Sequence, residues 1–518
     1  MSNLIARAEK EVFLATNYWM DSDASRLITD ALKELSRRAG ERGEKAIVKI
    51  MYDRGNAKQV LDNHQPVSEK EYIGKNIRLP SSEEAPHLDM QVVNYHKPML
   101  GTFHSKFMVV DRKIGIVQSN NIQDNDNVEM MTHLEGPIVD SLYDTALISW
   151  HNALKPPLPS HNTPAAKGGL PSFEQSSFRD LFERPAVPVV PSANVDGRSL
   201  EQLATDGRQE QLPLHVGGDP HYDSDIAAEA TRMQSAMTPR NGEGFASVYT
   251  RHLNLATHQN RQGDAPEPEP GNEMTPFIPH AVHSLFPIAM VNRKPYGSPN
   301  HGCVFTPQNE AWLSAVRNAT ASVFIQTPDL NAAPLLPELI AAIRRGVRVV
   351  YYVCLGYNDA GELLPFQGGH NEMVANKLYT ELSTPEERSR LHVHYYVGKD
   401  QTRPIHNKFK SRSCHIKLMI VDAHIGIQGN GNQDTQSWYH SQEVNIMIDS
   451  REICEKWIEG LERNQNTGKY GAASQEDGIW RDANGEEAEG AIGKDAGRFA
   501  WAKGVVGAVQ RVRGAGGF

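Results

Sequence analysis

A histidine, a lysine and an aspartate recur at one spacing in two distant parts of the chain. The segment HSKFMVVD begins at His104, and HIKLMIVD begins at His415, 311 residues later. Both segments run into an apolar stretch that is typical of a buried strand. Residues two apart in a strand point to the same face, so each histidine lies beside its lysine, Lys106 or Lys417. Paired imidazole and ammonium groups, supplied twice, are suited to phosphoryl transfer.

The same polar residues follow each copy. An asparagine stands ten residues after each aspartate, at Asn121 and Asn432, and a glutamate comes further on, at Glu129 and Glu443. In phosphoryl transfer one imidazole can attack phosphorus while a second protonates the leaving oxygen. Lysine and amide groups offset charge on the equatorial oxygens, and a carboxylate can fix the tautomer of each histidine.

These patterns predict three sets of site residues. The predicted catalytic residues are His104, Lys106, Asp111, His415, Lys417 and Asp422; the predicted phosphate-binding residues are Lys106, Asn121, Lys417 and Asn432; and the predicted orienting carboxylates are Glu129 and Glu443. The four cysteines include no CxxC pair, and no other metal-ligand spacing occurs. We therefore predict neither a metal nor a cofactor.

A single HxK pair carries little information, and the chain contains a third one. The segment HNK, His406–Lys408, has Ser413 where the aspartate should be and lacks the asparagine that follows the other copies. We interpret it as a surface loop. Coincidence does not explain the doubled pattern, because its aspartates and asparagines match at a constant offset.

The sequence around the two copies also aligns at this offset. Each half reads as a strand, a helix, a second strand and an extended segment that carries the motif. The predicted strands are Val12–Ala15, Ala46–Tyr52, Val323–Gln326 and Val347–Val353, and the predicted helices between them are Ala24–Arg38 and Leu335–Arg345. This alternation predicts an α/β fold, and the repetition predicts an internal duplication. A helix (Gln308–Asn318) and a strand (Phe286–Val291) precede only the second copy, so the first half either lacks these two elements or is N-terminally truncated, and we favour truncation.

An acidic, proline-rich segment separates the halves. It spans residues 156–275 and holds 9 Lys and Arg, 16 Asp and Glu, and 14 of the 31 prolines. Such a composition predicts a linker or disordered insertion, and it accounts for most of the net charge of −10. The predicted domains are therefore a first half (1–155), the linker (156–275), a second half (276–465) and a C-terminal tail (466–518).

The repeated HxKxxxxD motif with its asparagine-containing turn resembles the signature of the phospholipase D superfamily. The resemblance covers residues 1–155 and 280–465, and the flanking sequence resembles that of fungal phospholipase D-like proteins. The second copy continues as GNGNQDTQSWYHSQE, with Asn430 where the family usually has serine. The first copy has Gln118 in place of the usual glycine and a shorter path to Glu129.

The resemblance implies a fold and a mechanism. The fold consists of two repeated α/β sandwich halves that form a pseudo-twofold single-chain dimer, with one site in the cleft between them. The chemistry needs no metal and proceeds through a covalent phosphohistidine, with His104 as the nucleophile and His415 as the general acid. Two halves in one monomer suffice for the site, and the oligomeric state stays open.

The substrate is the less specific part of the prediction. A phospholipase D would hydrolyse or transfer a phosphatidyl group, and the cationic, apolar tail after Arg498 favours peripheral membrane contact. The alternative is a nuclease or nucleic-acid end-processing phosphodiesterase, for which the basic stretches are short. A non-catalytic scaffold is disfavoured by the intact motifs. With no apolar run near the roughly 20 residues of a membrane span and no signal peptide, we predict an intracellular protein, either cytoplasmic or peripheral to a membrane.

Overall fold

The computed structural model describes residues 1–125, 127–150, 234, 237–254, 260–281, 283–356, 360–409, 411–495, 502 and 504–506. The first half contains α1 (Ser2–Ala6), β1 (Glu11–Ala15), α2 (Asp23–Arg42), β2 (Ala46–Tyr52), β3 (His64–Pro66), α3 (Glu69–Tyr72), β4 (Leu88–Tyr95), β5 (Phe107–Val110), β6 (Ile114–Gln118), β7 (Met131–Glu135) and α4 (Ile138–Trp150). After it come α5 (Phe245–Asn254), β8 (Ile288–Met290), α6 (Pro307–Asn318), β9 (Ser322–Gln326), α7 (Leu335–Arg344), β10 (Arg348–Val353), α8 (Asn371–Glu381), α9 (Pro385–Ser389), β11 (Leu391–Tyr395), β12 (Leu418–Val421), β13 (Ile425–Gly429), α10 (Thr435–Tyr439), β14 (Asn445–Asp449), α11 (Arg451–Arg463) and α12 (Thr467–Tyr470).

Each half is built on a mixed sheet of seven strands. The strand order is β3-β4-β2-β1-β5-β6-β7 in the first sheet and β11-β10-β9-β12-β13-β14-β8 in the second. Six strands of one sheet have an equivalent in the other, in the same order, while β3 and β8 extend opposite edges. The prediction of two repeated α/β halves is confirmed.

The strand directions decide where functional side chains can gather. Strand β1 runs parallel to β2 and antiparallel to β5, and β9 has the same relation to β10 and β12. The ends of β1 and β9 therefore meet the starts of β5 and β12, where the two HxK segments lie. Ligand sites of parallel α/β sheets commonly form at this edge.

Local sequence explains the best-defined helix of the first half. The side chains of Ser22 and Ser25 cap the start of α2 reciprocally, and Gly43 ends it with φ 71°. Glycine adopts this left-handed conformation without a steric penalty, because it has no Cβ atom. The buried residues of α2, including Ile28, Leu32 and Leu35, recur at helical spacing and cover the sheet.

One of the hydrophobic clusters spans both halves. A single cluster of buried residues joins Phe107, Val109 and Trp150 of the first half to Ile416 and Val444 of the second. Removal of this apolar surface from water stabilises the contact between the halves. The cleft between them is therefore held by packing as well as by the polar contacts described below.

The predicted linker and tail are partly integrated into the second half. Residues 151–233 lie outside the described residues, but α5 of the predicted linker packs through Val248 and Tyr249. The buried pair Arg412–Asp400 (3.0 Å) holds this helix, because Arg412 also donates to the oxygens of Leu253 and Asn254. The predicted boundary at residue 275 is therefore corrected: α5, which precedes it, packs with the second half. The buried guanidinium of Arg412 needs hydrogen-bond partners, and α5 supplies two of them.

The predicted tail also starts too early. Helix α12 packs against the sheet, and the side chains of Trp480 and Ala488 belong to the core of the second half. Trp480 donates its indole N–H to Tyr470 O at 2.7 Å. Of the last residues, the structure describes 502 and 504–506 beyond 495.

The helix and strand that precede the second copy are α6 and β8. In the first half α1 has five residues, and no described strand pairs with β7 on its outer side. Among the described helices, none is both long and apolar enough to cross a membrane.

Candidate active site

The two motif segments cross from one half to the other. The backbone N–H of His104 donates to Gln442 O (3.1 Å), and that of His415 donates to Val128 O (2.9 Å). Bridges between Phe103 and Gln442 and between Val128 and Cys414 continue the contact. Each motif thus pairs with the segment that leads to the glutamate of the opposite half.

This crossing exchanges the orienting carboxylates. Nδ1 of His104 donates to Glu443 Oε2 at 2.9 Å, and Nδ1 of His415 donates to both oxygens of Glu129 at 2.9 Å. A serine hydroxyl holds each carboxylate: Ser437 donates to Glu443 (2.7 Å) and Ser119 to Glu129 (2.6 Å). Neither motif histidine is paired with the orienting glutamate of its own half.

The two motif lysines are buried beside the histidines. Lys106 Nζ donates to His104 O at 2.7 Å, and Lys417 Nζ donates to His415 O in the same way. Burial lowers the pKa of Lys417 to about 8. Burial, and then the charge of Lys417, lowers the pKa of Lys106. The charge of a lysine of the second half thus acts on the lysine of the first half.

The histidine–carboxylate pairs differ in their electrostatics. Burial and the nearby Lys417 lower the pKa of His415 to about 3, although Glu129 opposes the shift. Burial would raise the pKa of Glu129, but the cations and hydrogen bonds around it lower it. Burial raises the pKa of Glu443 to about 7. At neutral pH the ligand-free protein therefore holds a neutral His415 against an ionised Glu129.

The two asparagines are buried in the same region. Asn121 accepts from Tyr18 N (3.4 Å), and its Nδ2 has no hydrogen-bond partner among the described residues. Asn432 donates to Asp434 Oδ2 at 3.1 Å, which leaves its Oδ1 without a described partner. Buried amide atoms of this kind are usually satisfied, so Nδ2 of Asn121 has capacity to donate to a phosphate oxygen, whereas the unsatisfied atom of Asn432 is an acceptor.

Asp111 and Asp422 lie apart from this group. Each follows the strand after its motif lysine, a strand of four residues and about 13 Å. The carboxylate of Asp111 accepts from the N–H groups of residues 9–11, and that of Asp422 accepts from residues 320–322, at 2.7–2.9 Å. Their assignment to the catalytic set is therefore corrected: they fix the β5–β6 and β12–β13 turns to the starts of β1 and β9.

The turns explain why an aspartate stands there. Asp111 and Arg112 have φ 52° and 53°, and Asp422 and Ala423 have φ 53° and 51°. Two successive residues with positive φ form the hairpin turn that matches strand twist. Aspartate tolerates this conformation better than most residues, and the three backbone hydrogen bonds offset its cost.

Asn430 is a positioning residue that the motif comparison noted without assigning a role. Its Oδ1 accepts from Lys106 N (3.0 Å), and its Nδ2 donates to Lys106 O (3.0 Å) and to Gln118 O. The amide thereby joins the second half to the backbone of the first-half lysine. The departure from serine was the available signal, since an amide offers two N–H donors beside its acceptor oxygen, whereas a hydroxyl has a single O–H donor.

Arg293 was not found from the sequence. Its backbone exchanges hydrogen bonds with Glu443, and its buried guanidinium donates to Cys303 O at 2.8 Å. Its charge acts on Glu443 and lowers that carboxyl pKa against the larger effect of burial. Arg293 stands outside every repeated motif, so only the fold brings it to the site.

The third HxK pair is only partly a surface feature. Lys408 is exposed, but His406 is fully buried and packs against Gly356. The interpretation as a surface loop is therefore wrong for His406. The pair takes no part in the contacts between the halves described above.

One group of acidic side chains could hold a cation. Within the described residues, Asp329, Glu362 and Asp434 are buried with ligand atoms within 4.8 Å of one another. The group adjoins the site through the bond between Asp434 and Asn432. Oxygen ligands of this kind suit hard cations such as Ca²⁺ or Mg²⁺. The prediction of a metal-independent protein stays a prediction.

Comparisons with known proteins agree with a phospholipase D-like fold. Residues 313–464 match the family described as cardiolipin synthase, PLD-like domain, so the second half contains a PLD-like domain. No curated protein matches the sequence. This match, and the strand order that the first half repeats, support a PLD-like fold with two α/β halves.

Three solved structures are similar. Phosphatidylserine synthase from Haemophilus influenzae Rd KW20 is 13% identical, with a TM-score of 0.46, over 89% of this chain and 82% of that one. Nuc, a phospholipase D family member from Salmonella typhimurium, is 16% identical over 36% of this chain and 95% of that one (TM-score 0.25). NucT from Helicobacter pylori is 15% identical over 36% and 99% of the respective chains (TM-score 0.25).

Proposed function

We propose that the protein is a phosphodiesterase of the phospholipase D type, which hydrolyses or transfers a phosphatidyl group through a covalent phosphohistidine. The observation that carries this proposal is the exchanged pairing of His104 with Glu443 and of His415 with Glu129. A carboxylate on Nδ1 keeps Nε2 available for attack or proton transfer. Two such pairs beside two buried lysines supply the groups that phosphoryl transfer needs.

In the proposed first step Nε2 of His104 attacks phosphorus and the bond to the head-group oxygen breaks. His415 gives that oxygen its proton, so the head group leaves as a neutral alcohol. Bound phosphodiester adds a negative charge near His415, which raises its pKa above that of the ligand-free protein. The ionised Glu129 stabilises the imidazolium. Lys106, Lys417 and the two asparagine amides offset charge on the phosphate oxygens.

In the second step water or a primary alcohol gives a proton to His415 and attacks the phosphohistidine. The P–N bond breaks, His104 returns to its neutral form, and phosphatidic acid or a phosphatidyl alcohol is released. Every atom of this cycle comes from substrate, acceptor or the named side chains. No metal takes part in the proposed cycle.

A phospholipid substrate is supported by the matching family, which is named for cardiolipin synthase. The alternative is a nuclease or nucleic-acid end-processing phosphodiesterase, because the same groups act on any phosphodiester. A non-catalytic scaffold is the third reading. The paired histidines disfavour it, since a scaffold has no need of two buried histidine–carboxylate pairs.

One assay separates these readings. Purified protein is incubated with phosphatidylcholine or single-stranded DNA, each with and without a primary alcohol. We expect head-group release and alcohol-dependent formation of a phosphatidyl alcohol, both abolished by His104→Asn. DNA cleavage without lipid turnover would favour the nuclease, and no turnover of either substrate would favour the scaffold.

A further inference from the structure

Three exposed apolar side chains stand on separate loops at the site end of the molecule. Met99 is 62% exposed, Phe305 is 90% exposed and Phe366 is 88% exposed. Met99 belongs to the loop before the first motif, Phe305 precedes α6, and Phe366 lies between β10 and α8. We refer to these three residues as the apolar tips.

The loops that carry the tips meet at α10, the short helix that follows Asn432. Gln436 donates to Leu100 O at 2.7 Å, next to Met99. Asn309, four residues after Phe305, donates to Trp438 O at 2.9 Å. The third loop reaches α10 through Asn331, whose side chain bonds Gly369 O and Thr435 N, both at 3.0 Å. The tips therefore surround one side of the candidate active site.

The conformation of two tips is unusual for large side chains. Met99 has φ 75° and Phe366 has φ 68°. Glycine or asparagine occupies this region at a lower steric cost than a bulky residue does. Neither side chain is buried in the core, so packing does not repay that cost.

The charge of the three loops selects the partner. The segments 94–106, 291–309 and 363–371 contain no Asp or Glu; of their four Lys and Arg residues, Lys106 and Arg293 are buried, and Lys97 and Lys294 remain at the surface. Lys97 and Lys294 are exposed and form no ion pair within the part of the chain that the structure describes. Apolar tips with adjacent cations fit an anionic lipid surface, where apolar groups enter the headgroup layer and cations bind phosphates.

The last described residues lie at the same end. Gly504 packs directly on Leu364, two residues from Phe366. Val505 and Val506, which follow it, are 45% and 57% exposed. A fourth apolar element thus adjoins the tips. Separate tips fit a planar, deformable surface better than a shaped protein partner, which would need a groove.

We propose that Met99, Phe305 and Phe366, with Lys97 and Lys294, form a docking face that seats the active site on an anionic phospholipid surface. The choice of a lipid rests on the proposed function. The face itself is tested without turnover.

The test measures binding of the full-length protein to vesicles made of equal amounts of phosphatidylcholine and phosphatidylglycerol. The variant Met99→Asn, Phe305→Ser, Phe366→Asn should bind at least about tenfold more weakly, because three apolar side chains no longer enter the bilayer. Lys97→Gln with Lys294→Gln should weaken binding to these vesicles but not to pure phosphatidylcholine. Leu285→Ser is the matched control. Leu285 is also an exposed apolar residue (56% exposed), but it precedes the start of β8, at the end of that strand away from the site.

Two further measurements separate docking from catalysis. Turnover of a soluble short-chain phosphatidylcholine should be the same in the triple variant and the wild type, whereas His415→Asn should bind vesicles normally and turn over slowly. Unchanged vesicle binding in the triple variant, or a loss equal to that of Leu285→Ser, would overturn the docking face. If the wild type bound no vesicles and the triple variant bound single-stranded DNA more weakly than the wild type, the face would be assigned to nucleic acid. That result would also overturn the lipid-docking proposal. Absent short-chain turnover with normal docking would contradict only the proposed function.

Discussion

At the scale of single residues, the site depends on an exchange between the halves. His104 is held by Glu443 and His415 by Glu129, over separations of more than 280 residues in sequence. The two pairs are not electrostatically equivalent, because Glu443 has a raised pKa and Glu129 a lowered one. Glu129 opposes the lowering of the His415 pKa, so an ionised Glu129 can stabilise a proton on His415 once substrate raises that pKa, as the proposed role of His415 as general acid requires.

A substrate with a good leaving group tests these roles. With a phosphatidyl p-nitrophenol, His415→Asn should keep part of its first-step rate and accumulate a phosphohistidine on His104, because nitrophenolate needs little protonation. With phosphatidylcholine the same variant should lose about 10²–10⁴-fold in rate. His104→Asn should be inactive on both.

Rapid-quench kinetics and mass spectrometry of the trapped protein make the measurement. His133→Asn is the control, because His133 bonds Glu135 (3.0 Å) on β7, apart from the exchanged pairs. A phosphohistidine on His415 in His104→Asn would reverse the assignment.

The pKa of Lys417 predicts an alkaline limit to activity. Burial lowers that pKa to about 8, so the ammonium is present below about pH 8 and is lost above it. Since the cation offsets phosphate charge, kcat/KM should fall as pH rises through about 8. Lys417→Arg should have a lower kcat/KM but no such fall, because arginine stays charged.

The pH profile of kcat/KM from pH 5 to 10 is the measurement. Lys408→Arg, in the third HxK pair, should leave the profile unchanged. An alkaline limb that persists in Lys417→Arg would assign the limit to another group.

At the scale of elements, the hairpins after the motifs position the catalytic strands. Asp111 and Asp422 each tie a left-handed turn to the start of the neighbouring strand, β1 or β9. Asn430, in the second half, accepts a hydrogen bond from the backbone N–H of Lys106, just before β5 in the first half. In the proposed mechanism the histidine and lysine of each motif take part in the chemistry, whereas the aspartate holds the turn.

This division predicts a stability effect without a chemical one. Asp422→Asn should lower the free energy of unfolding at neutral pH by about 1–3 kcal/mol, because a charged acceptor of three N–H groups is replaced by a neutral one. The pKa of Asp422 is lowered in the fold: burial raises it, but the bonds from residues 320–322 prevail. Its contribution is therefore present above the unfolded-state pKa and is lost as pH falls through the lower folded-state pKa.

Urea unfolding at pH 7 and at pH 3 measures this effect, with soluble-substrate turnover measured in parallel. The difference from wild type should shrink at the lower pH, and turnover should change less than tenfold. Asp30→Asn, on the exposed face of α2, is the control. A loss of turnover with unchanged stability would return Asp422 to the catalytic set.

At the scale of the whole molecule, the question is which parts of the chain are needed for a folded site. The parts concerned are the two halves, the predicted linker and the acidic group Asp329, Glu362 and Asp434. The shared core joins the halves, and α5 of the predicted linker is anchored by Arg412. The composition of the preceding segment, rich in proline and acidic residues, still predicts a spacer.

Two deletions distinguish spacer from structure. Removal of residues 171–220 should leave Tm and kcat/KM unchanged, because the acidic, proline-rich sequence there predicts no packed core. Removal of 245–254, which is α5, should lower Tm by several degrees, since the buried Arg412–Asp400 pair loses partners. Differential scanning calorimetry gives both values. A loss of soluble protein on the first deletion would show that the segment has a structural role.

Metal independence is tested on the intact protein. After treatment with EDTA and removal of the chelator, phosphatidylcholine turnover should remain, because the proposed cycle draws its cations from Lys106 and Lys417. If turnover were lost after EDTA and restored by Ca²⁺ in the wild type but not in Asp329→Asn, a cation would be assigned to the acidic group. Asp495→Asn is the control variant.

The chain order of strands and helices was predictable because each element carries its own period. The strand Ala46–Tyr52 was predicted with the bounds it has, and α7 differs from its prediction by one residue. The linker was misread at its end because α5 lies in a segment of acidic, proline-rich composition, and its place depends on Arg412, 158 residues away in sequence from Asn254. His406 was misread because local polarity does not reveal burial.

The sequence by itself determined the duplication, the α/β class of each half and the histidines, lysines, asparagines and glutamates that gather at the site. These follow from spacing, and spacing is a local property of the chain. Only the tertiary structure decided which glutamate holds which histidine, that the motif aspartates serve the turns, and that Asn430 and Arg293 join the site. Such pairings depend on the packing of one half against the other, so no periodicity within a half records them.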